Sequence, residues 1–194
     1  EWLRFFCVSG FVIPFSFSGP RPTASFIISR FFRLYPAYWA SIALALIVGT
    51  HVSHITFTTG QVLANLTMLQ RMINVPDMLG IYWTLFIELI FYGICVLAFT
   101  ANKLYSPTFN AVMIVMFVSL ALAGGAYRWI YPTSSLPTGV PTYLAAMHLG
   151  TLVRLHLVEN KDDARKLHVS MIILVVAGCS FANFLSYRQA ENEL

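Results

Sequence analysis

The chain has 194 residues, of which 58% are hydrophobic and only 10% charged, and its mean hydropathy is +0.71. That balance excludes a soluble globular domain and places the chain in a membrane. The formal net charge of +4 calls for no nucleic-acid partner, because the basic residues fall where membrane topology wants them.

Taken in order, the first apolar segment runs from Trp2 to Phe17 and stops at Gly19-Pro20-Arg21-Pro22, which cannot continue a helix. Further spans are expected at about Leu34 to Gly49, Tyr82 to Phe99, Thr108 to Tyr127, Thr142 to Leu157 and Leu167 to Tyr187. The fifth is the least apolar, carrying His148, Arg154 and His156. Gly60 to Ile73 is too short and polar to cross, but Val62, Leu63, Leu66, Leu69 and Met72 recur at helical spacing. This reads as an amphipathic helix lying on the bundle or the interface. The expected fold is therefore all-α: a polytopic transmembrane bundle of about six spans plus one interfacial helix. Residues 1–194 read as a single, partial domain that starts without a Met inside an apolar stretch.

For six spans, the loops at 18–33, 100–107 and 154–166 carry Arg21, Arg30, Arg33, Lys103, Arg154, Lys161, Arg165 and Lys166, eight of the twelve Lys and Arg. The positive-inside rule puts those loops in the cytoplasm, and Glu88 enters its helix from the outer side. Cys7, Cys95 and Cys179 sit within apolar runs and lack metal or CxxC spacing, so neither a disulfide nor a metal site is expected.

Two constellations carry chemistry. Glu88, in Gly80 to Tyr92, is a carboxylate inside a membrane-length apolar run with no Lys or Arg near it in sequence. A bare carboxylate there costs on the order of 2.5 to 3.5 kcal/mol, so it should face the interior and have a partner. A protonated Glu hydrogen-bonded between helices, or one snorkelling to the near interface, is the structural alternative. Arg30 and Arg33 are three residues apart, so a helix through them puts both guanidiniums on one face, where two planar forks suit a phosphate. They also suit lipid headgroups, with Tyr35, Tyr38 and Trp39 as an aromatic belt.

Four stretches in order carry a resemblance: Phe5-Phe6-Cys7-Val8-Ser9-Gly10-Phe11-Val12-Ile13, Arg30-Phe31-Phe32-Arg33-Leu34-Tyr35-Pro36-Ala37-Tyr38-Trp39, Ala64-Asn65-Leu66-Thr67-Met68-Leu69-Gln70, and Tyr82-Trp83-Thr84-Leu85-Phe86-Ile87-Glu88-Leu89-Ile90-Phe91-Tyr92. Together they resemble membrane acyltransferases of the acyltransferase-3 type, multi-span enzymes that O-acylate cell-surface carbohydrate; residues 100–194 match only as further spans. The resemblance implies an acyl-CoA co-substrate approached from the cytoplasm, no bound cofactor, a carbohydrate or glycolipid acceptor, and residence in the plasma (inner) membrane. It matches Arg30 and Arg33 to the family's donor-binding RxxR and Glu88 to its catalytic W-[ST]-L-x-x-E glutamate. It also implies a catalytic histidine on a helix that precedes the first segment, outside this sequence, so the fragment alone is expected to be inactive. His51, His54, His148 and His156 do not match that pattern. Tyr35 and Trp83 are candidate substrate contacts, with an interface belt as the plainer reading of Trp83 and Tyr82. There is no GxSxG elbow, which favours direct transfer over a covalent serine route. A transporter or channel using Glu88 as a proton or cation site is the alternative. The acceptor, the acyl chain length and the oligomeric state are not legible.

Overall fold

A computed structural model describes residues 2–51, 56–131, 139–160 and 162–187. Its elements are helical throughout: α1 (Trp2–Val12) with a 3-10 turn (Ile13–Ser16), α2 (Pro22–His51), α3 (Thr59–Leu66) with a 3-10 turn (Gln70–Ile73), α4 (Tyr82–Thr100), α5 (Pro107–Ile130), α6 (Gly139–Leu157) and α7 (Asp162–Tyr187). Among the described residues four helices, α2, α4, α5 and α7, are long and apolar enough to cross a membrane; α1 with its extension forms a shorter apolar helix. The helical bundle is as expected, and four of the six expected spans meet both length and apolar content among the described residues. The expected fifth span, α6, is the least apolar of the six and is buried over most of its surface, including Leu144, Met147, His148, Thr151 and Leu155.

The break at residues 17–21 falls where Gly and Pro require it, with Gly19 at a φ of 83°. The second span, however, begins at Pro22 and not near Leu34. Proline is tolerated in a helix's first turn, where its missing N–H has no intrahelical role, and Phe26, Ile27 and Ile28 extend the apolar run. Arg30 and Arg33 therefore lie inside α2, not in a loop.

The chain divides into two compact units, one of residues 17–93 and one of residues 1–16 with 94–194. In the larger unit α1, α5 and α7 pack with the central α6. Small residues set the closest approach. A Cβ on Gly10 would lie 1.8 Å from the Met147 carbonyl oxygen, and one on Gly150 would lie 1.9 Å from that of Cys7. Thr151 uses the same contact to donate to the Gly10 carbonyl at 3.0 Å. Such close crossings are how membrane helices gain dispersion energy where lipid is as apolar as the side chains. His148, buried on α6, pairs through Nδ1 with Asn110 Oδ1 of α5 at 2.9 Å. Asn110 donates its Nδ2 hydrogens to the Leu104 and Ser106 carbonyls, so its oxygen faces the imidazole, and Nδ1 carries the ring hydrogen.

In the smaller unit α2 and α4 pack with the 59–79 connection, around a cluster of Tyr38, Ile42, Ala45, Met68, Met78 and Tyr82. The connection is not one amphipathic helix over 60–73. α3 ends at Leu66, and Met68 turns the chain with a φ of 63°. Its exposure is also inverted relative to a helix lying with its apolar face on the bundle. Asn65 and Gln70 are fully buried, while Leu63, Leu66, Leu69 and Met72 are exposed.

Candidate functional site

Glu88 sits on α4 just after its first turn and is buried, at 9% exposure. Helical geometry puts Tyr92 one turn further on the same face, and its hydroxyl donates to Glu88 Oε2 at 3.2 Å. Across from it on α2, Arg30 is buried at 6% exposure. Its guanidinium carbon lies 5.6 Å from the centre of the Tyr92 ring and 5.3 Å from that of Phe26. Phe26 meets Tyr92 edge-on at 5.8 Å and stacks on Phe17 at 4.1 Å. One tyrosine thus presents its ring to the arginine and its hydroxyl to the carboxylate. Cation–π contacts of this kind are worth about 0.5 to 2 kcal/mol, the upper figure applying where water is excluded.

Arg33 does not share this environment. A helix does run through both arginines, but Arg33 is exposed where Arg30 is buried. Three residues advance a helix by about 300°, leaving about 60° between the two side chains, and the edge of the packed face falls in that gap.

The aromatic candidates have partners of their own. Tyr35 stacks on Phe31 with centroids 4.5 Å apart and donates its hydroxyl to the Thr67 carbonyl at 3.2 Å. Tyr38 donates to the Asn65 carbonyl at 2.6 Å, and the Trp39 indole N–H to the Leu66 carbonyl at 3.1 Å. Three neighbouring aromatics of α2 therefore donate to three successive carbonyls at the C-terminal end of α3, where intrahelical partners run out; the Asn65 carbonyl also accepts the Met68 amide at 3.1 Å. Tyr82 is buried, its hydroxyl 2.9 Å from Ser41 Oγ; Trp83 is half-buried in the first turn of α4.

His54, Lys161 and Arg188 lie outside the described residues, as do the side chains of His51 and Lys166. His156 stacks on His168 with centroids 4.2 Å apart. Among the described residues no three His, Cys, Asp or Glu side chains cluster as a metal site requires. Cys95 and Cys179 are buried and Cys7 half-buried, all as free thiols.

Sequence reasoning missed Tyr92 and Phe26. The available signal was the i, i+4 spacing of Tyr92 from Glu88, which puts a donor within reach of an in-membrane carboxylate.

The model of a family described as an acyltransferase domain, acyltransferase-3, matches residues 5–193. No curated protein matches the chain, and no solved structure does. The match reaches well past the four quoted stretches into residues 100–193, where the spans alone carry little motif content. It removes the ground for the transporter reading, which rested on Glu88 alone.

Proposed function

The chain belongs to the acyltransferase-3 family, and from that premise we propose that this membrane acyltransferase works in the plasma membrane, moving an acetyl group from acyl-CoA to a hydroxyl of a cell-surface carbohydrate or glycolipid. The observation that carries this reading is the buried cluster in which Arg30 and Glu88 meet on the two faces of Tyr92's chemistry, ring and hydroxyl.

The reaction needs little more from the protein than charge placement and proton handling. The acceptor oxygen forms a bond to the thioester carbonyl carbon, the C–S bond breaks, and the hydroxyl proton ends on the departing thiol. A permanent positive charge stabilises the thioester oxygen or the donor's phosphates as charge shifts. Arg30 supplies it from a low-dielectric setting, and Arg33, exposed on the adjoining face, adds a second fork for phosphate. Glu88, oriented by Tyr92, holds the acceptor hydroxyl or the base that takes its proton.

The test uses the full-length protein in vesicles with radiolabelled acetyl-CoA and an envelope polysaccharide. Glu88→Gln keeps the side chain's shape and removes its charge; transfer is expected to fall about 100-fold with acetyl-CoA affinity unchanged. Arg30→Ala is expected to weaken acetyl-CoA binding about ten- to a hundredfold, the range for losing charge-assisted hydrogen bonds. Wild-type transfer by Glu88→Gln, or wild-type donor affinity in Arg30→Ala, defeats the assignment.

A further inference from the structure

The starts of α5 and α7 lie side by side in the larger unit and border two adjoining hollows, one apolar and one polar. We propose that the two together hold one phospholipid with a primary amine in its headgroup, the ammonium on Asp162 and Asp163 and one acyl chain in the apolar hollow.

Spacing builds the apolar hollow. Thr108, Ala111, Val112, Val115 and Met116 of α5 recur at helical intervals along one side, and Leu167 of α7 faces them across about 360 Å³. Thr108 is the one polar side chain of this lining, and it stands at the end nearest the preceding loop. From Thr108 to Met116 the row advances about 12 Å along a helix long and apolar enough to cross a membrane. Val112, Val115 and Met116 are exposed. Apolar side chains open at that depth meet hydrocarbon and not water.

The polar hollow shares both walls with the apolar one. Ser106 and Pro107, which border it, lead directly into Thr108, and Asp163 lies one turn before Leu167 on the same face of α7. Its volume is about 650 Å³, so both hollows fall in the range of small-ligand pockets, about 300 to 1,000 Å³. Two of its side chains are already committed. The Tyr105 hydroxyl donates to the Pro14 carbonyl at 2.9 Å, and Ser106 Oγ accepts the Phe109 amide at 3.4 Å as the cap of α5. Asp162 and Asp163 are exposed and enter no hydrogen bond or ion pair among the described residues.

Carboxylates in a first turn suit the positive end of any helix. Here they also border a hollow that continues into hydrocarbon, and their sign departs from the basic residues around them. The loops at 100–107 and 154–166 are those the positive-inside rule puts in the cytoplasm, so the occupant comes from the cytoplasmic leaflet. An anionic headgroup there meets two carboxylates and is repelled. A headgroup carrying an ammonium and a phosphate meets opposite charge for each, since Arg165, two residues beyond Asp163, is also exposed. A primary ammonium brings three donors to the carboxylates and a quaternary one brings none.

The experiment delipidates the full-length protein in detergent and titrates it with phosphatidylethanolamine, phosphatidylglycerol or phosphatidylcholine of matched chains, counting bound lipid by native mass spectrometry. One phosphatidylethanolamine is expected to bind about fivefold tighter than either other lipid, the size of preference that exposed ion pairs supply. Asp162→Asn/Asp163→Asn should remove the preference. Phosphatidylethanolamine with a diazirine in its acyl chain should label residues 108–116 of the wild-type protein, which tests the site without any variant. Equal affinity for the three lipids, or tighter binding of phosphatidylglycerol, overturns the headgroup assignment. Label confined to other segments, or none, overturns the site. Both aspartates are exposed, and thermal unfolding of the double variant alongside wild type shows that lost preference is not lost fold.

Discussion

Tyr92 donates its phenolic hydrogen to the Glu88 carboxylate one helical turn back, at 3.2 Å, in a site where both side chains are buried. Because the same ring lies beneath Arg30, two functions can be separated by substitution. Tyr92→Phe keeps the ring and removes the hydrogen bond. We expect acyl transfer to fall about ten- to a hundredfold, the equivalent of the roughly 1.5 to 3 kcal/mol typical of a hydrogen bond to a charged group, with acetyl-CoA affinity held. Tyr92→Leu removes the ring as well and should weaken donor binding in addition. Rates and donor affinities measured on both variants decide the point; equal behaviour of Phe and Leu would mean that the ring does nothing for Arg30.

The α1–α6 crossing makes a second prediction, on stability. Gly10→Ala and Gly150→Ala each drive a methyl into backbone of the facing helix, at 1.8 and 1.9 Å, where no rotamer can relieve it. Overpacking of this kind costs about 1 to 3 kcal/mol or more, and the Thr151 bond to the Gly10 carbonyl is strained with it. Gly93→Ala is the contrast. Nothing lies within 4 Å of its added methyl, so removing glycine's backbone freedom from a helix should stabilise by about 0.5 to 1 kcal/mol. Thermal unfolding in detergent should order the three variants with Gly93→Ala at or above wild type and the other two below it.

Much of this was legible in residue order, and the failures have physical causes. Glu88 could be singled out because a carboxylate in a long apolar run is costly wherever the helices finally pack. The break after Phe17 was legible because Gly and Pro act locally. Arg30 and Arg33 could not be told apart, since periodicity places them within about 60° on one face but does not say where the packed edge runs. Tyr35, Tyr38 and Trp39 read as an interface belt because a belt and a cap use the same amphipathic side chains; only the position of α3 assigns their donors to carbonyls 65–67. Gly60 to Ile73 read as one amphipathic helix with its apolar residues turned inward for a related reason. In lipid the polar side is the one to bury, which inverts the rule that holds in water.

That inversion yields a third prediction. Asn65 serves the Gln61 and Pro76 carbonyls and the Met78 amide with one side chain. Asn65→Ala leaves the buried Met78 amide without its acceptor, at a cost of about 1 to 3 kcal/mol, while the Pro76 carbonyl keeps Gln61 Nε2 at 3.4 Å. Asp is a weaker repair than it looks, since it keeps the acceptor for Met78 but loses both donors and adds a buried charge. Unfolding temperatures should rank wild type above both variants. A wild-type transition in Asn65→Ala would mean that water reaches the turn.

The last prediction divides the two arginines, which the family match leaves as a pair. Arg30 is buried between two rings, 5.3 Å from Phe26 and 5.6 Å from Tyr92, where a planar guanidinium can lie against aromatic faces. Lysine is a compact, strongly hydrated charge, and moving it into that pocket costs desolvation without restoring the stacking. Arg33 is exposed, so a lysine there can extend to the same phosphate through a flexible stem. Arg30→Lys should therefore weaken acetyl-CoA binding about tenfold or more, about 1.4 kcal/mol, while Arg33→Lys stays within about threefold of wild type. Salt should divide them as well. At 0.5 M NaCl an exposed charge is screened over a few ångströms, so the difference in affinity between wild type and Arg33→Ala should shrink while that between wild type and Arg30→Ala persists. Isothermal titration of acetyl-CoA against the five proteins at two salt concentrations reads both effects. If the lysine variants lose affinity equally, the burial of Arg30 has no bearing on the donor, and both arginines act only as surface charge.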